Sequence, residues 1–468
     1  MTNIIDYYTT HYFTSVLILL LVFAVAFTVA KTSMLRRFYL PVSLVAGAII
    51  LLIGPQVMGQ INPDWSLDQD FYTTWQPLPG VLINIVFACL FLGNPILKIK
   101  KMWRMAGQQI AFGQTVAWGQ YLIGGLVTLL LLLPLFGDKP IIAALLEISF
   151  EGGHGTVAGL TPMWHDLNFA EGQSMAVGLA TLSLITALIA GIFIMNWGRG
   201  KGLISREHRL LRGREKHHFY HYTLIHAIQE KADEMKDRHL TLGKVLKQVV
   251  LVAISVVVGF GIREVLILVE NATWGQAGVH IFSYVPAFSI CLFGGLIVNY
   301  FCQKRRIHIS STANSMISTL CLGVLIMTAV GTMSLEFFRE PNLAASFWIL
   351  FVSGVIWIVS ATLFLARRMF IAHWFTNAII SFGQAMGMTA TGLLFAQMAD
   401  PQQKTGAVEA FGYKQMLFEP LMGGGLVTAM SMPLILLLGL PAWTIICGVI
   451  ALGWCLAGIF YFSRKSYD

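Results

Sequence analysis

The sequence predicts an all-α polytopic membrane protein. It is built from two inverted-topology repeats of about five transmembrane helices, each with a re-entrant hairpin, plus one extra C-terminal helix. Three observations predict it. Hydrophobic residues make up 56% of the 468 residues and charged ones only 12%, roughly half the share of a soluble domain. Basic residues cluster just after apolar runs, as cytoplasmic loops do, so the net charge of +8 reads as topology and not as affinity for nucleic acid. Two glycine-rich polar stretches, 149–156 and 381–392, interrupt apolar sequence, one in each half.

A crossing helix needs about 20 apolar residues. The first run, 12–30, is followed by Lys31, Arg36 and Arg37, while residues 1–11 carry Asp6 and no Lys or Arg. It reads as a permanent anchor and not a cleaved signal, with the N-terminus outside. Run 40–58 opens at Pro41 and leads to Asp64, Asp68 and Asp70 outside. Run 81–97 returns to Lys98, Lys100, Lys101 and Arg104 inside, and run 110–136 exits at Gly137-Asp138-Lys139-Pro140. The polar stretch Ser149-Phe150-Glu151-Gly152-Gly153-His154-Gly155-Thr156 then falls within 141–165. Run 174–197 follows and ends at Arg199, Lys201 and Arg206.

Charge parity constrains the 141–165 segment. A full crossing there would put the following basic loop outside, against the positive-inside rule. A hairpin that enters and leaves on the outer face keeps that loop inside. Broken, polar backbone at membrane depth is tolerated only where protein or a water-filled cavity surrounds it, and ionisable groups there mark a pathway or a site.

The second half repeats the plan with runs 249–269, 282–302, 316–335 and 344–366. The stretch Ser381 to Gly392 is flanked by Arg368 on one side and by Lys404 and Lys414 on the other, so it reads as a hairpin entered from the inner face. Runs 416–438 and 443–462 follow, with Arg464 and Lys465 inside. The domain organisation is therefore an N-terminal repeat 1–198 with outer hairpin 141–165, a basic cytoplasmic linker 199–247, an inverted repeat 248–440 with inner hairpin 373–399, and a last helix and tail 441–468. Leu40-Pro41 and Val285-Pro286 open corresponding spans.

The hairpins carry the candidate substrate- and ion-binding residues: Ser149, Glu151, Gly152, Gly153, His154, Gly155 and Thr156 in the first, and Ser381, Gly383, Gln384, Gly387, Thr389 and Thr391 in the second. Glycines permit tight turns and close approach of a ligand. Amides at a broken helix end suit a carboxylate, and carbonyl and hydroxyl oxygens suit Na+. A plain packing role for the glycines competes with this reading. His154 is a candidate to donate to a carboxylate or relay a proton. Glu151, three residues earlier, is a candidate partner for it, and Glu147 is read as facing an outer vestibule. Asn84, Gln114, Gln120 and Asn299 read as interhelical hydrogen-bonding amides, Arg263-Glu264 as a local pair, and Glu419-Pro420 before Gly423-Gly424-Gly425 as a hinge or site wall. The six cysteines lie in or at the ends of apolar runs without a Cys-x-x-Cys pair, which points to small buried side chains and not to disulfides or zinc.

Gly152-Gly153-His154-Gly155-Thr156 resembles the signature of the bacterial sodium/glutamate symporter family. Leu40-Pro41 through Gly47, Phe87-Ala88-Cys89-Leu90-Phe91-Leu92-Gly93 and Gly387-Met388-Thr389-Ala390-Thr391 are similar to further family segments. The resemblance implies Na+-coupled uptake of glutamate or a related small acidic amino acid or organic anion across a bacterial inner membrane. It also implies alternating access, a homodimer, and no cofactor beyond Na+ as coupling ion, to which the residues add H+ as a second candidate. The Na+ site is expected between the hairpins. Glu151 stands where the family usually has a small residue, Thr428 falls at the family's polar position in the penultimate span, and the last span looks like an addition. A membrane-embedded hydrolase finds no His-Glu-x-x-His or Gly-x-Ser-x-Gly motif, so no enzyme is expected. The remaining competitor is a non-transporting sensor that keeps the fold.

Overall fold

A computed structural model describes residues 2–31, 40–93, 99–204, 241–277, 282–400 and 405–463. All regular structure among them is helical. The first half runs α1 (Thr2–Ala30), α2 (Val42–Leu52), α3 (Leu78–Cys89), α4 (Ile99–Val127), α5 (Leu145–Phe150), α6 (Gly153–Gly159), α7 (Thr161–Asp166) and α8 (Ala170–Gly200). The second runs α9 (Leu242–Ala272), α10 (Ala287–Lys304), α11 (Ser311–Gly331), α12 (Pro341–Ser360), α13 (Trp374–Ala385), α14 (Thr389–Ala399), α15 (Ala407–Phe418), α16 (Leu426–Leu438) and α17 (Leu440–Leu456). Eight helices among the described residues are long and apolar enough to cross a membrane, which makes this a multi-pass membrane protein.

Proline and glycine set most boundaries. Pro41 and Pro286 each immediately precede a helix, α2 and α10, with dihedrals of −58°/136° and −65°/146°. A proline at a helix start loses no hydrogen bond and presets φ. Both α4 and α12 pass into a single wide turn, Thr128–Leu132 and Ala361–Leu365, and continue to Phe136 and Met369. A proline-led helix and a helix with a wide turn thus occur in each half, and α17 passes into a third such turn at Ala457–Phe462.

Three expected runs are redrawn. The 40–58 run yields only the 11-residue α2, because Gly54-Pro55 cannot continue a helix. The basic turn after run 81–97 is the start of α4, which begins at Ile99. The 416–438 run is not one span: α15 ends at Phe418, and α16 starts at Leu426. Between them Pro420 and three glycines leave the backbone open, with Gly423 and Gly424 at φ of 64° and 104°. Of the basic linker, 205–240 lies outside the described residues, as do Arg36, Arg37, Lys98 and Lys404.

Packing draws the broken segments inward. α9 packs on α10, α11 on α2 and α3, α17 and α15 on α4, and α5 and α6 on α8. Small residues let backbones touch, as membrane helices require: a methyl at Gly295 would lie 2.2 Å from the Ala88 carbonyl oxygen, and one at Gly124 2.2 Å from that of Ala143. The central core joins Ile142, Phe150, Val157, Phe382, Phe395 and Phe418, so α5, α6, α13, α14 and α15 all line one interior. The cysteines Cys89, Cys291, Cys302 and Cys447 are buried, and Cys321 and Cys455 are half-buried.

Candidate functional site

Three helix breaks meet in this interior. The first lies between α5 and α6 at Glu151-Gly152, where Gly153 takes φ of 68°. The second lies between α13 and α14 at Met386–Met388, where the two helices fold back on each other; a methyl at Gly383 would sit 2.8 Å from the Thr391 carbonyl oxygen. The third is the Glu419–Gly425 turn. A methyl at Gly153 would lie 3.6 Å from the Gly387 carbonyl oxygen, and one at Gly424 would lie 2.4 Å from Thr156 Oγ1. Thr389 Oγ1 donates to Glu419 Oε1 at 2.8 Å. Each break therefore touches the other two.

Buried charge fills the junction. Glu151 is 5% exposed; its Oε1 accepts Gln384 Nε2 at 2.5 Å and its Oε2 accepts Gln120 Nε2 at 3.1 Å. Gln384 Oε1 accepts Lys414 Nζ at 2.6 Å, so both ends of that amide are engaged. Gln120, on α4, also donates to the Ala385 carbonyl at 3.3 Å and so binds both hairpins. Glu147 has no exposed surface: Oε2 accepts Tyr121 Oη at 2.5 Å, and Oε1 accepts Gly423 N at 3.1 Å and Thr428 Oγ1 at 2.8 Å. Its carboxylate thus lies against the start of α16, where a helix dipole favours negative charge. Half-buried Glu419 receives Thr389 and also Gln415 Nε2 at 2.8 Å.

Several sequence-based expectations change here. Glu147 does not face a vestibule. Glu151 pairs with two amides and not with His154, whose Nε2 meets Thr181 Oγ1 at 2.9 Å. Thr181 spends its own proton on the Val177 carbonyl at 2.8 Å, so the histidine nitrogen is the donor. Lys414 is not a cytoplasmic marker; its ammonium is fully buried, with Nζ 3.7 Å above the Phe418 ring. Sequence reasoning missed Lys414 because a lysine after an apolar stretch satisfies the positive-inside pattern whichever way it points.

The other expected residues fall close by with varied roles. Thr156 Oγ1 donates to the Gly152 carbonyl at 2.9 Å, and Ser381 Oγ donates to Gln109 Oε1 at 2.7 Å. Thr391 is buried, with Oγ1 3.0 Å from the place a methyl on Gly387 would take. Gly155 admits Ile83, whose Cδ1 would lie 2.6 Å from an added methyl, and Gly383 admits Phe395 in the same way at 2.6 Å. Gly152 packs against its own helix ends, 2.5 Å from the Ile148 carbonyl oxygen by the same measure. Ser149 Oγ is buried with no hydrogen-bond partner, as are Gln120 Oε1 and Gln415 Oε1.

The resulting junction has broken helix ends, buried carboxylates and unsatisfied oxygens, a set suited to holding a small charged solute and a hard cation. Comparison with known proteins agrees in kind. The family model described as sodium/glutamate symporter matches residues 7–406. A sodium/glutamate symporter of Haemophilus influenzae is 22% identical over 405 residues, which cover 85% of this chain and 89% of that one. The family match ends before α15, so Lys414, Glu419 and the third break lie beyond it. With a match over most of its length and a helical, membrane-spanning structure around two glycine-rich breaks, the chain belongs to the sodium/glutamate symporter family.

Proposed function

We propose that the protein is a secondary transporter that couples inward movement of Na+ to uptake of glutamate or a related small acidic amino acid or organic anion. The observation that carries this reading is the mutual contact of three helix breaks around buried charge, in a chain of this family. Gly153 and Thr156 line the ligand from the outer side, and Gly387, Thr389 and Thr391 from the inner side, while Gly152 and Gly155 let the first break pack closely behind them. The start of α14 meets the anion, where its helix dipole favours negative charge. Ser149 Oγ, Gln120 Oε1 and Gln415 Oε1 are oxygens available to a desolvated cation. His154 orients the anion, and Glu151 tunes cation coupling, with H+ as the other candidate ion.

In this reading the halves are inverted repeats, for which the matched prolines Pro41 and Pro286 and the wide turns of α4 and α12 speak. The hairpins are re-entrant, the N-terminus is outside and the C-terminus cytoplasmic in a bacterial inner membrane, and the protein works as a homodimer by alternating access. Coupling then arises because the ligands bind the outward and inward states with different affinity.

Uptake of labelled glutamate, aspartate and small dicarboxylates into proteoliposomes tests the reading. An inward Na+ gradient should drive accumulation that choline in place of Na+ abolishes. Absence of accumulation under Na+ and pH gradients alike would overturn transport, and ligand binding without accumulation would favour a sensor.

A further inference from the structure

Lys414 has a constructed place in the junction that the symport reading leaves unused. It is the only buried Lys or Arg among the described residues. Gly113 of α4 makes room for it: a methyl there would lie 2.5 Å from Lys414 Cε and 3.1 Å from Nζ. The Phe418 ring supports the ammonium from its own helix, with the Phe411 ring farther off at 5.6 Å. Its hydrogen bond runs to Gln384 Oε1 at 2.6 Å, and Gln384 Nε2 runs on to Glu151 Oε1 at 2.5 Å. The Gln384 dipole is thus aligned between an ammonium and a carboxylate, and each hydrogen bond polarises the other.

Glu151 otherwise has only neutral donors, Gln120 and Gln384. A buried carboxylate without a counter-charge is strongly disfavoured. The other acids at the junction, Glu147 and Glu419, add negative charge and supply none of the opposite sign. We propose that Lys414 is a resident cation: its ammonium, relayed by Gln384, serves as the counter-charge of Glu151 and stands in for one mobile monovalent cation. The residue thereby sets how many cations the junction must recruit. This deepens the symport reading and rests on it for Na+ as the mobile ion.

Thermal unfolding of the purified, detergent-solubilised full chain, titrated with Na+ against choline at constant ionic strength and alkaline pH, tests the proposal without any transport step. Removing the ammonium in Lys414→Met leaves Glu151 in need of a cation. The variant should gain a Na+-dependent stabilisation half-saturating at a Na+ concentration at least tenfold below that of the wild type. Lys414→Arg should titrate like the wild type, and Glu151→Gln combined with Lys414→Met should lose the gain. If Lys414→Met does not fold in choline, either Na+ or the added Glu151→Gln change should restore it. Titrations of Lys414→Met and the double variant that match the wild type, or a Lys414→Met defect rescued by neither change, would overturn the proposal. Repeating the series with K+ and Li+ separates this outcome from failure of the symport reading, since a junction coupled to another cation would still report the gain.

Discussion

At the scale of single residues, the junction is held by a few groups whose loss strands their partners. Glu147 satisfies Tyr121, Gly423 and Thr428 at once. Glu147→Ala should lower stability by about 1–3 kcal/mol for each partner left unpaired. Glu147→Gln, which keeps an acceptor, should cost clearly less, and unfolding midpoints in detergent decide. Equal midpoints for the two variants would show that the carboxylate's contacts contribute nothing. A second comparison separates backbone strain from crowding. Gly137 and Gly424 both have positive φ, 71° and 104°, but a methyl at Gly137 meets nothing within 4 Å, while one at Gly424 meets Thr156 Oγ1 and Phe87. Gly137→Ala should cost about 1–2 kcal/mol. Gly424→Ala should cost more and should also depress uptake. Sequence alone identified the glycines of the first two breaks because they interrupt apolar periodicity. It could not say which of them face the ligand and which admit a neighbour, since that depends on Ile83 and Phe395, which are remote in the chain.

At the scale of elements, lengths and breaks were legible wherever composition changes sharply. The long helices α1, α8, α9 and α12 follow their apolar runs, and Pro41 and Pro286 mark the starts of α2 and α10. The α15–α16 break was only half legible. Glu419-Pro420 and three glycines stood in view, yet the surrounding hydropathy supports a continuous span, and only the contacts of Gly423 with Glu147 show why the chain opens there. The loop between α4 and α5 offers a test outside the membrane-spanning segments. Asp138 there accepts a hydrogen bond from Ser346 at the start of α12. Burial pushes its carboxyl above the ordinary aspartate value, against a smaller opposing effect of Ser346. A raised folded value means that the folded state holds the proton more tightly. The stabilisation is therefore complete below the unfolded value of about 3.9 and fades as pH rises through the folded one. Asp138→Asn should flatten that fall in the unfolding midpoint as pH is raised from acid. A profile as steep as the wild type's would remove Asp138 as its source.

At the scale of the whole molecule, the path of the chain explains why the site resisted a reading from sequence. Gln109 and Gln120 on α4, Thr181 on α8 and Lys414 on α15 reach the breaks from three separate helices. None of them stands out as a ligand from its own stretch of sequence. The last helix is the sharpest case. By sequence it resembles an addition, but α17 lies along α4: Gly125 brings Thr444 Oγ1 to 2.2 Å of where a methyl would be, and Trp443 stands edge-on to Tyr121 with ring centres 5.4 Å apart. Tyr121 is the same side chain that donates to Glu147. Deleting residues from 440 onward should therefore lower the unfolding midpoint and impair uptake, not leave a trimmed but working transporter; preserved uptake would return α17 to the status of an ornament.

That contact between α4 and α17 also bears on how the protein is made. The face of α4 that backs the junction is translated early, and its cover, α17, only after most of the described chain. A product that stops short of α17 thus leaves that face of α4, and the tyrosine that holds Glu147, without its cover.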